Sequence, residues 1–280
     1  MRYLQGEEGE LAKKVQEQEN FYYNHERDDI TQLCRKEREL NATGRVFCKQ
    51  TYEMRLMQVA LEKSVGDNIL PFIKEQTMTN SELEATKRMD KVASSIAQVG
   101  HANVNLDLLK WNQLQRHDLN KYIFKELDEL HGRSNLYSDS HLWFNRCMIL
   151  LGSRLTPPEI GEDGEPIPGE YCHYDQFGGL EGMRQKAWTI TTIMIIKLAL
   201  DECNLQGETM GQGDNQVIHL TLNQEQQRNP QRTITLLLNT LDNLFKAGGL
   251  KLKMQETWYS KNLFEYSKVR FYKQNRNVVL

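Results

Sequence analysis

The chain has 280 residues, of which 39% are hydrophobic and 26% are charged, and its formal net charge is −3. This length allows one large domain or two small ones, and the composition is ordinary for a soluble globular protein. The near-neutral balance excludes a global electrostatic attraction to nucleic acid or membrane, so any polyanion site must come from local clustering.

The five cysteines favour an intracellular protein with reduced thiols, because their number is odd and none forms a CxxC pair. Cys172 and His173 leave open a zinc site completed by distant residues. The first 20 residues are acidic and polar, without the apolar core of a signal peptide, so we expect no secretory leader.

The N-terminal half of the chain predicts mainly helices. Residues 1–29 are charged and helical in character. Apolar residues recur at helical spacing from Thr51 to Met89, and Pro71 predicts a break near the start of a second helix. The alternating stretch Ala102–Leu109 predicts a strand, which a polar helix follows over residues 110–130.

The second half mixes strands with helices. Leu155–Glu170 holds four of the six prolines and predicts an exposed loop. The apolar helix that ends near Leu200 is opened by a glycine pair and is too short to span a bilayer. Short strands are predicted at Glu208–Gly211 and Val217–Leu222, a helix at Thr233–Ala247, and a β-rich basic segment after it. Because strands and helices do not alternate strictly, the predicted class is α+β.

Two aspartates occupy positions that suit paired carboxylates. Asp214 lies in "MGQGDNQVIHL", at the tip of a predicted hairpin, and Asp107 ends the preceding predicted strand. Each has an ordinary explanation, since Asp is common in turns and at helix N-caps. On neighbouring strands, however, the two carboxylates could hold two divalent cations for phosphoryl displacement.

Two further stretches add to this pattern. "FGGLEGMRQKAWT" contains glycines that permit close backbone approach, but it matches neither a dinucleotide fingerprint nor a P-loop. "RKERELNATGR" clusters guanidinium and ammonium groups that bind phosphate. Taken alone, the first is an ordinary helix start and the second a solvated helix face of alternating charge.

The order of these motifs is specific. KERE…GR, DxxKWNxxxR, GGLEGxRQKxWT, QGDNQ and ETWxSxxxFxYSK follow one another along the chain. This order resembles the polymerase region of the large (L) protein of non-segmented negative-strand RNA viruses, the Mononegavirales. The resemblance extends from about Lys36 to Tyr272, and the QGDNQ core is typical of that group.

The resemblance implies a role for each matching residue. Asp107 and Asp214 would be the catalytic, metal-binding aspartates. Nucleotide binding would fall to Lys36, Arg38, Arg45 and Lys110. Template and ribose positioning would fall to Gly178, Gly179, Glu181, Gly182, Arg184, Gln185 and Lys186. Gly213, Asn215 and Gln216 would complete the turn around the second aspartate. Candidates for product-strand contact or for a general acid would be Lys251, Lys253, Glu256 and Lys268.

The resemblance also implies an architecture and an activity. We expect a right-hand polymerase palm, a small antiparallel sheet flanked by helices, over residues 101–280, with partial fingers over residues 1–100. The activity would be RNA-directed RNA synthesis with Mg²⁺, for which Mn²⁺ can substitute, and without a membrane partner.

The expected ligands are the RNA template and product and nucleoside triphosphates. The full-length protein would also bind a viral phosphoprotein and nucleoprotein-coated RNA, in the virion and host cytoplasm, or in the nucleus for some relatives. Because family members are many times longer, we expect the chain to be a fragment. A captured or truncated palm that binds RNA or a partner without catalysis remains an alternative.

Overall fold

The computed structural model describes residues 30–35, 46–96, 98–151, 157–272 and 275–278. The helix predicted for residues 1–29 therefore lies outside the described residues. The chain divides into two compact units: the first unit comprises residues 1–65 and 112–187, and the second unit comprises residues 66–111 and 188–280. Both contain strands and helices, which confirms the α+β class. The assignment of fingers and palm remains a prediction.

The described elements follow in chain order. The strands are β1 (Ile30–Arg35), β2 (Val46–Gln50), β3 (His101–Leu106), β4 (Met148–Leu151), β5 (Cys172–His173), β6 (Gln206–Gln212), β7 (Asn215–Thr221), β8 (Trp258–Ser260), β9 (Leu263–Tyr266), β10 (Val269–Tyr272) and β11 (Asn275–Val278). The helices are α1 (Tyr52–Asn68), α2 (Glu82–Ser94), α3 (Trp111–Leu114), α4 (His117–Leu130), α5 (Ser140–Arg146), α6 (Gln185–Glu202), α7 (Gln224–Arg228) and α8 (Pro230–Ala247).

The first unit is built on a four-stranded sheet in the order β2-β1-β4-β5. Strand β1 pairs antiparallel with β2 and parallel with β4, so that Ile30 lies opposite Met148. A buried carboxylate, Asp128, ties α4 to the following turn by accepting hydrogen bonds from the backbone N–H groups of Tyr137 and Ser138 at 2.7 and 3.0 Å. This sheet was not predicted from the sequence, because its central pairing joins segments more than a hundred residues apart.

The second unit contains an antiparallel sheet in the order β6-β7-β3-β8 and a three-stranded sheet in the order β11-β10-β9. Strand β6 contains the strand predicted there, β7 covers all of its predicted strand except Leu222, and β3 ends at Leu106, three residues before the predicted end. Helix α8 begins three residues before the predicted helix. An apolar cluster joins α2 to both sheets; it includes Met89, Val92, Met210, Val217, Phe264 and Phe271. Removal of these side chains from water is the main favourable contribution to the stability of this unit.

Two predicted helix boundaries were wrong. The second helix begins at Glu82 and not near Pro71, because Ser81 and Glu84 form a reciprocal capping box that fixes its N-terminus. Pro71 instead lies in a single 3₁₀ turn. The helix predicted over residues 110–130 is interrupted, since Arg116 adopts an extended conformation and α4 starts after it.

The proline-rich loop is exposed, as the sequence predicts. The described residues of the proline-rich loop, 157–170, are mostly exposed. All five cysteines are free thiols. Within the described ranges, no helix is both long and apolar enough to cross a membrane.

A buried imidazole on strand β7 contacts the neighbouring strand β3. His219 is only 8% exposed, and its Nδ1 lies 2.7 Å from Asn103 Oδ1. The Asn103 amide nitrogen donates to Leu263 O, so the amide oxygen is directed at His219 and Nδ1 carries the proton. His219 Nε2 lies 2.8 Å from Ser95 Oγ and 3.2 Å from His101 Nδ1. Burial, and then the charge of His101, lower the pKa of His219 from 6.5 to about 4.

This histidine predicts a pH dependence of stability. The unfolded chain binds a proton near pH 6.5 and the folded chain only near pH 4, so the free energy of unfolding falls as the pH decreases between these values. His219→Gln should reduce the fall in melting temperature between pH 7 and pH 4.5 by about 2 °C or more. Glu208 raises and Lys91 lowers the pKa of this imidazole. These two residues form an ion pair at 2.9 Å and are left unchanged in the variants. If the melting temperature falls equally over this pH range in His219→Gln and in a His173→Gln control, His219 is not the source of the pH dependence.

Candidate active site

The two predicted aspartates lie at the same end of the main sheet of the second unit. Asp107 directly follows β3, and the residues Gly213 and Asp214 form the turn between β6 and β7. Strands β3 and β7 pair antiparallel with Leu106 opposite Gln216. This register brings the residue after β3 next to the residues before β7.

Both aspartates line one open cleft of about 550 Å³. A third carboxylate, that of Glu256, lines it as well. The remaining lining residues are Asn105, Leu106, Asn215, Gln255, Trp258, Glu265 and Arg270. The cleft thus gathers carboxylates and amides at the end of strands β3 and β7, with Leu106 and Trp258 as its apolar lining residues.

The turn that carries Asp214 is held at its first residue. Gly213 has a φ of +62°, the left-handed conformation that a type II′ hairpin requires at this position and that glycine adopts without strain. Its N–H donates to Thr189 Oγ1 at 3.1 Å, and its carbonyl accepts from Gln216 Nε2 at 2.8 Å. Both backbone polar groups of this glycine are therefore fixed by side chains.

The backbone of Asp107 is held by the segment before β8. Its carbonyl accepts from Lys253 N at 2.8 Å, and its N–H donates to Thr257 Oγ1 at 3.3 Å. The Lys253 ammonium lies 3.8 Å from Asp107 Oδ2 and also pairs with Glu256. The structure therefore brings Lys253 and Glu256, both predicted site residues, to the first aspartate.

The charged groups in this cleft shift one another's pKa, in opposite directions for Asp107 and Glu256. Partial burial, then the neighbouring Glu256, and more weakly Asp214, raise the pKa of Asp107 above its ordinary value of 3.8. Lys253 counteracts this rise. The pKa of Glu256 is lowered, mainly by Lys253, and that of Lys253 is raised, mainly by Glu256. The fold therefore disfavours the charge on Asp107 and favours the charge on Glu256.

A raised pKa at Asp107 means that its ionised form disfavours folding. Its favourable contribution to stability is complete below about pH 3.8 and is lost as the pH rises through its folded-state pKa. Asp107→Asn should therefore raise the melting temperature of the metal-free chain at pH 7, and this gain should shrink as the pH approaches 3.8. Scanning calorimetry across this range measures both trends. A gain independent of pH would show that packing, and not charge, is responsible.

The residues present fit a divalent cation. Asp107 and Asp214 supply two carboxylates to one cleft. Burial and then the negative charge of Glu256 raise the pKa of Asp107, and a cation would offset that negative charge. Magnesium characteristically takes one or two carboxylates and leaves other positions for water or phosphate. Across the described part of the chain, no group of three or more His, Cys, Asp or Glu residues is arranged to hold a metal ion. A closed structural site, including the zinc site considered for Cys172 and His173, is therefore not formed there.

A second cleft, of about 380 Å³, shares Asn105, Asn215 and Glu265 with the first. Lys268, a predicted product-strand residue, lines this second cleft. Glu265 is paired with Arg270, whose Nε donates at 2.7 Å. The sequence analysis missed this pair, although opposite charges five residues apart across a short hairpin are a recognisable signal for cross-strand pairing.

Two further predicted lysines, Lys110 and Lys251, are not among the residues that line the cleft with Asp107 and Asp214. Lys110 is exposed and has a φ of +47°. Lys251 is exposed, and its carbonyl accepts from Leu109 N at 2.9 Å. The basic residues Lys36, Arg38 and Arg45 lie outside the described residues, so their predicted role in nucleotide binding remains a prediction.

The glycine-rich segment belongs to the first unit. A Cβ at Gly178 would lie 2.1 Å from Gln113 O, so only glycine fits there. Gly179 N donates to Gln115 O at 3.2 Å, and Gly182 has a φ of +91°. Gly178 thus permits a close backbone approach, whereas Gly182 supplies a positive φ. The glycines do not open the helix directly as predicted, since α6 begins only at Gln185.

Arg184 precedes this helix and is fully buried. Its Nε donates to Ser140 Oγ at 2.7 Å. The nearby Glu62 accepts from Lys186 N at 3.2 Å, and its backbone carbonyl accepts from Lys186 Nζ. Burial raises the pKa of Glu62, while Arg184 and Lys186 oppose the rise. In this conformation the two basic residues have internal partners, and their predicted contact with template or ribose remains a prediction.

Glu181 and Gln185, predicted for the same role, are half-buried. Glu181 lies beside Cys48, where burial, and then the charge of Glu181, raise the pKa of the thiol to about 12. A raised thiol pKa makes Cys48 unreactive at neutral pH.

Gly178 offers a direct test of the packing in the first unit. Gly178→Ala forces a methyl group into the Gln113 carbonyl and should lower the free energy of unfolding by about 1–3 kcal/mol. Gly169→Ala is the matched control, since a Cβ there would approach no atom closer than 3.9 Å. Denaturant unfolding measures the free energy of unfolding of both variants. Equal stability of the two would contradict the close approach.

Comparison with known proteins gives a consistent result. A family model described as Mononegavirales RNA dependent RNA polymerase matches residues 2–277 of the chain. The chain is 33% identical over 264 residues to the RNA-directed RNA polymerase L of Maize mosaic virus (isolate Maize/United States/Reed/2005), covering 88% of the chain and 14% of that protein.

Other relatives have similar names. Identity is 31% over 285 residues to the RNA-directed RNA polymerase L of Sonchus yellow net virus, covering 94% of the chain and 14% of that protein. Identity is 30% over 267 residues to the large structural protein of Mokola virus, covering 89% of the chain and 12% of that protein. The chain thus spans about 12–14% of the length of these curated relatives.

Proposed function

The chain belongs to the Mononegavirales RNA-dependent RNA polymerase family, and from this premise we propose that it carries the nucleotidyl-transfer centre of such a polymerase. The observation that supports this function best is the pair Asp107 and Asp214 lining one cleft at the end of two paired strands. On this proposal the second unit contributes to a palm, with residues 101–280 as palm and residues 1–100 as partial fingers.

Asp107 and Asp214 would hold Mg²⁺, or Mn²⁺ in its place. The metal, when bound, makes the RNA 3′-hydroxyl more acidic and offsets the charge that develops on the phosphates. The rigid turn at Gly213 and the two backbone hydrogen bonds of Asp107 keep the carboxylates in place, so little reorganisation is needed at the moment of reaction.

The reaction joins the 3′-oxygen of the product strand to the α-phosphorus of a nucleoside triphosphate and breaks the bond to the β-phosphate oxygen. The hydroxyl proton is lost and pyrophosphate leaves. Lys253, 3.8 Å from Asp107, is the residue we favour over Lys251 to give a proton to pyrophosphate. Lys36, Arg38, Arg45 and Lys110 would bind the triphosphate, since guanidinium and ammonium groups offset phosphate charge.

RNA template and nucleoside triphosphates are the proposed substrates. Gly178, Gly179, Glu181, Gly182, Arg184, Gln185 and Lys186 would position template and ribose, and Glu256 and Lys268 would lie near the product strand. For the longer protein we propose a viral phosphoprotein and nucleoprotein-coated RNA as partners. Its location would be the virion and the host cytoplasm, or the nucleus in some relatives.

The proposal predicts that divalent cations bind the folded chain through the two aspartates. MnCl₂ should raise the melting temperature of the 280-residue chain, since a ligand of the folded state alone stabilises it. Asp107→Asn and Asp214→Asn should each weaken the Mn²⁺ affinity at least tenfold, because loss of a direct ligand should cost no less than loss of an outer-shell partner. Asp118→Asn, which removes an exposed carboxylate paired with Lys121, is the matched control.

Primer extension on an RNA template tests the chemistry itself. Extension that is lost in Asp214→Asn and kept in Asp118→Asn would support catalysis. Mn²⁺ affinity that is unchanged in both site variants would refute the metal centre. Metal and RNA binding without any extension would favour the non-catalytic alternative.

A further inference from the structure

Helix α6 carries a set of buried threonines among its apolar residues. Thr189 and Thr192 are both fully buried, although a hydroxyl group gains little from burial unless it is hydrogen-bonded. They are three residues apart and therefore lie on one face of the helix. Each of them contacts a segment that carries one of the two aspartates.

Thr189 contacts the segment that carries Asp214. Its Oγ1 accepts the N–H of Gly213 at 3.1 Å. Gly213 is the residue immediately before Asp214, and its φ of +62° sets the direction of the turn. The hydroxyl group thus satisfies the donor at the tightest point of the hairpin and ties that point to the helix.

Thr192 contacts the segment that follows Asp107. Its Oγ1 accepts the indole Nε1–H of Trp111 at 3.0 Å and donates to Trp188 O at 3.0 Å. Because the hydroxyl proton is engaged by that carbonyl, the oxygen lone pairs face the indole. Trp111 also packs edge-on against Trp188, with ring centroids 6.0 Å apart.

The two segments also approach each other at this helix. A Cβ built on Gly213 would lie 3.8 Å from Trp111 Cζ3. Trp111 is 4% exposed, so the indole is buried next to the turn. Loss of the indole would remove the side chain through which the segment after Asp107 meets both helix α6 and the turn.

We infer that Thr189 and Thr192 are positioning residues that set the separation of Asp107 and Asp214 by fixing both segments to one helix. This inference rests on the proposed metal centre. Neither hydroxyl contacts a carboxylate in the described contacts; they act through Gly213 and Trp111. Outer-shell partners of this kind commonly change metal affinity by 10–100-fold when removed.

The test uses Mn²⁺ titration of the 280-residue chain, with bound metal followed by electron paramagnetic resonance. Thr189→Val and Thr192→Val keep the branched shape and remove the hydroxyl group, and each should weaken Mn²⁺ binding about tenfold. Thr189→Ser and Thr192→Ser restore the hydroxyl group and should recover most of the affinity. Thr191→Val is the control on the same helix, since Gly213 and Trp111 donate to Thr189 and Thr192 instead.

The outcomes separate this inference from the proposed function. If Asp107→Asn and Asp214→Asn weaken Mn²⁺ binding while Thr189→Val and Thr192→Val do not, the metal centre stands and the positioning role is refuted. If neither aspartate variant changes the affinity, the metal centre itself fails. A purely structural role would lower the melting temperature in the valine variants without changing the Mn²⁺ affinity measured well below it, and would overturn the inference.

Discussion

The crowding of carboxylates at one end of an antiparallel sheet is the constraint on which the second unit depends. Strand pairing that places Leu106 opposite Gln216 brings Asp107 and Asp214 into one cleft with Glu256. Like charges at short range repel, and part of this repulsion appears as the raised pKa of Asp107. Because these carboxylates do not attract one another, other contacts must hold them together. The surrounding hydrogen bonds serve this purpose.

The support comes from backbone and buried polar groups, while the carboxylates themselves are left available. Gly213 is held at both its N–H and its carbonyl, and Asp107 at both of its backbone groups. Asp214 itself is exposed and Asp107 half-buried. Hydrogen bonds that fix the chain next to each carboxylate leave its oxygens open to a ligand, which is the arrangement that a site for cations and phosphates requires.

Local sequence signals were enough to predict the positions of the two aspartates. The parts of the fold that depend on long-range contacts could not be predicted in this way. A glycine followed by Asp and Asn between apolar strands identifies a hairpin from neighbouring residues alone, and the alternation before Asp107 identifies a strand end. The β1–β4 pair joins Leu33 to Leu151, a separation that no local pattern reveals. The prediction that a glycine pair opens the apolar helix put Arg184 inside that helix, but its φ of +57° and its buried contact with Ser140 depend on tertiary packing.

The same crowding links stability to the proposed chemistry. Lys253, with one positive charge, lies 3.8 Å from Asp107 and also pairs with Glu256, so it offsets only part of the negative charge in the cleft. A divalent cation carries twice that charge and contacts carboxylate oxygens at about 2.0–2.1 Å, and Coulomb attraction increases as distance shortens. On the proposed function, the repulsion that disfavours the metal-free fold is relieved when the cation binds. Folding and cation binding are then linked, because the charge on Asp107, which disfavours the fold, contributes to the affinity of the cleft for the metal.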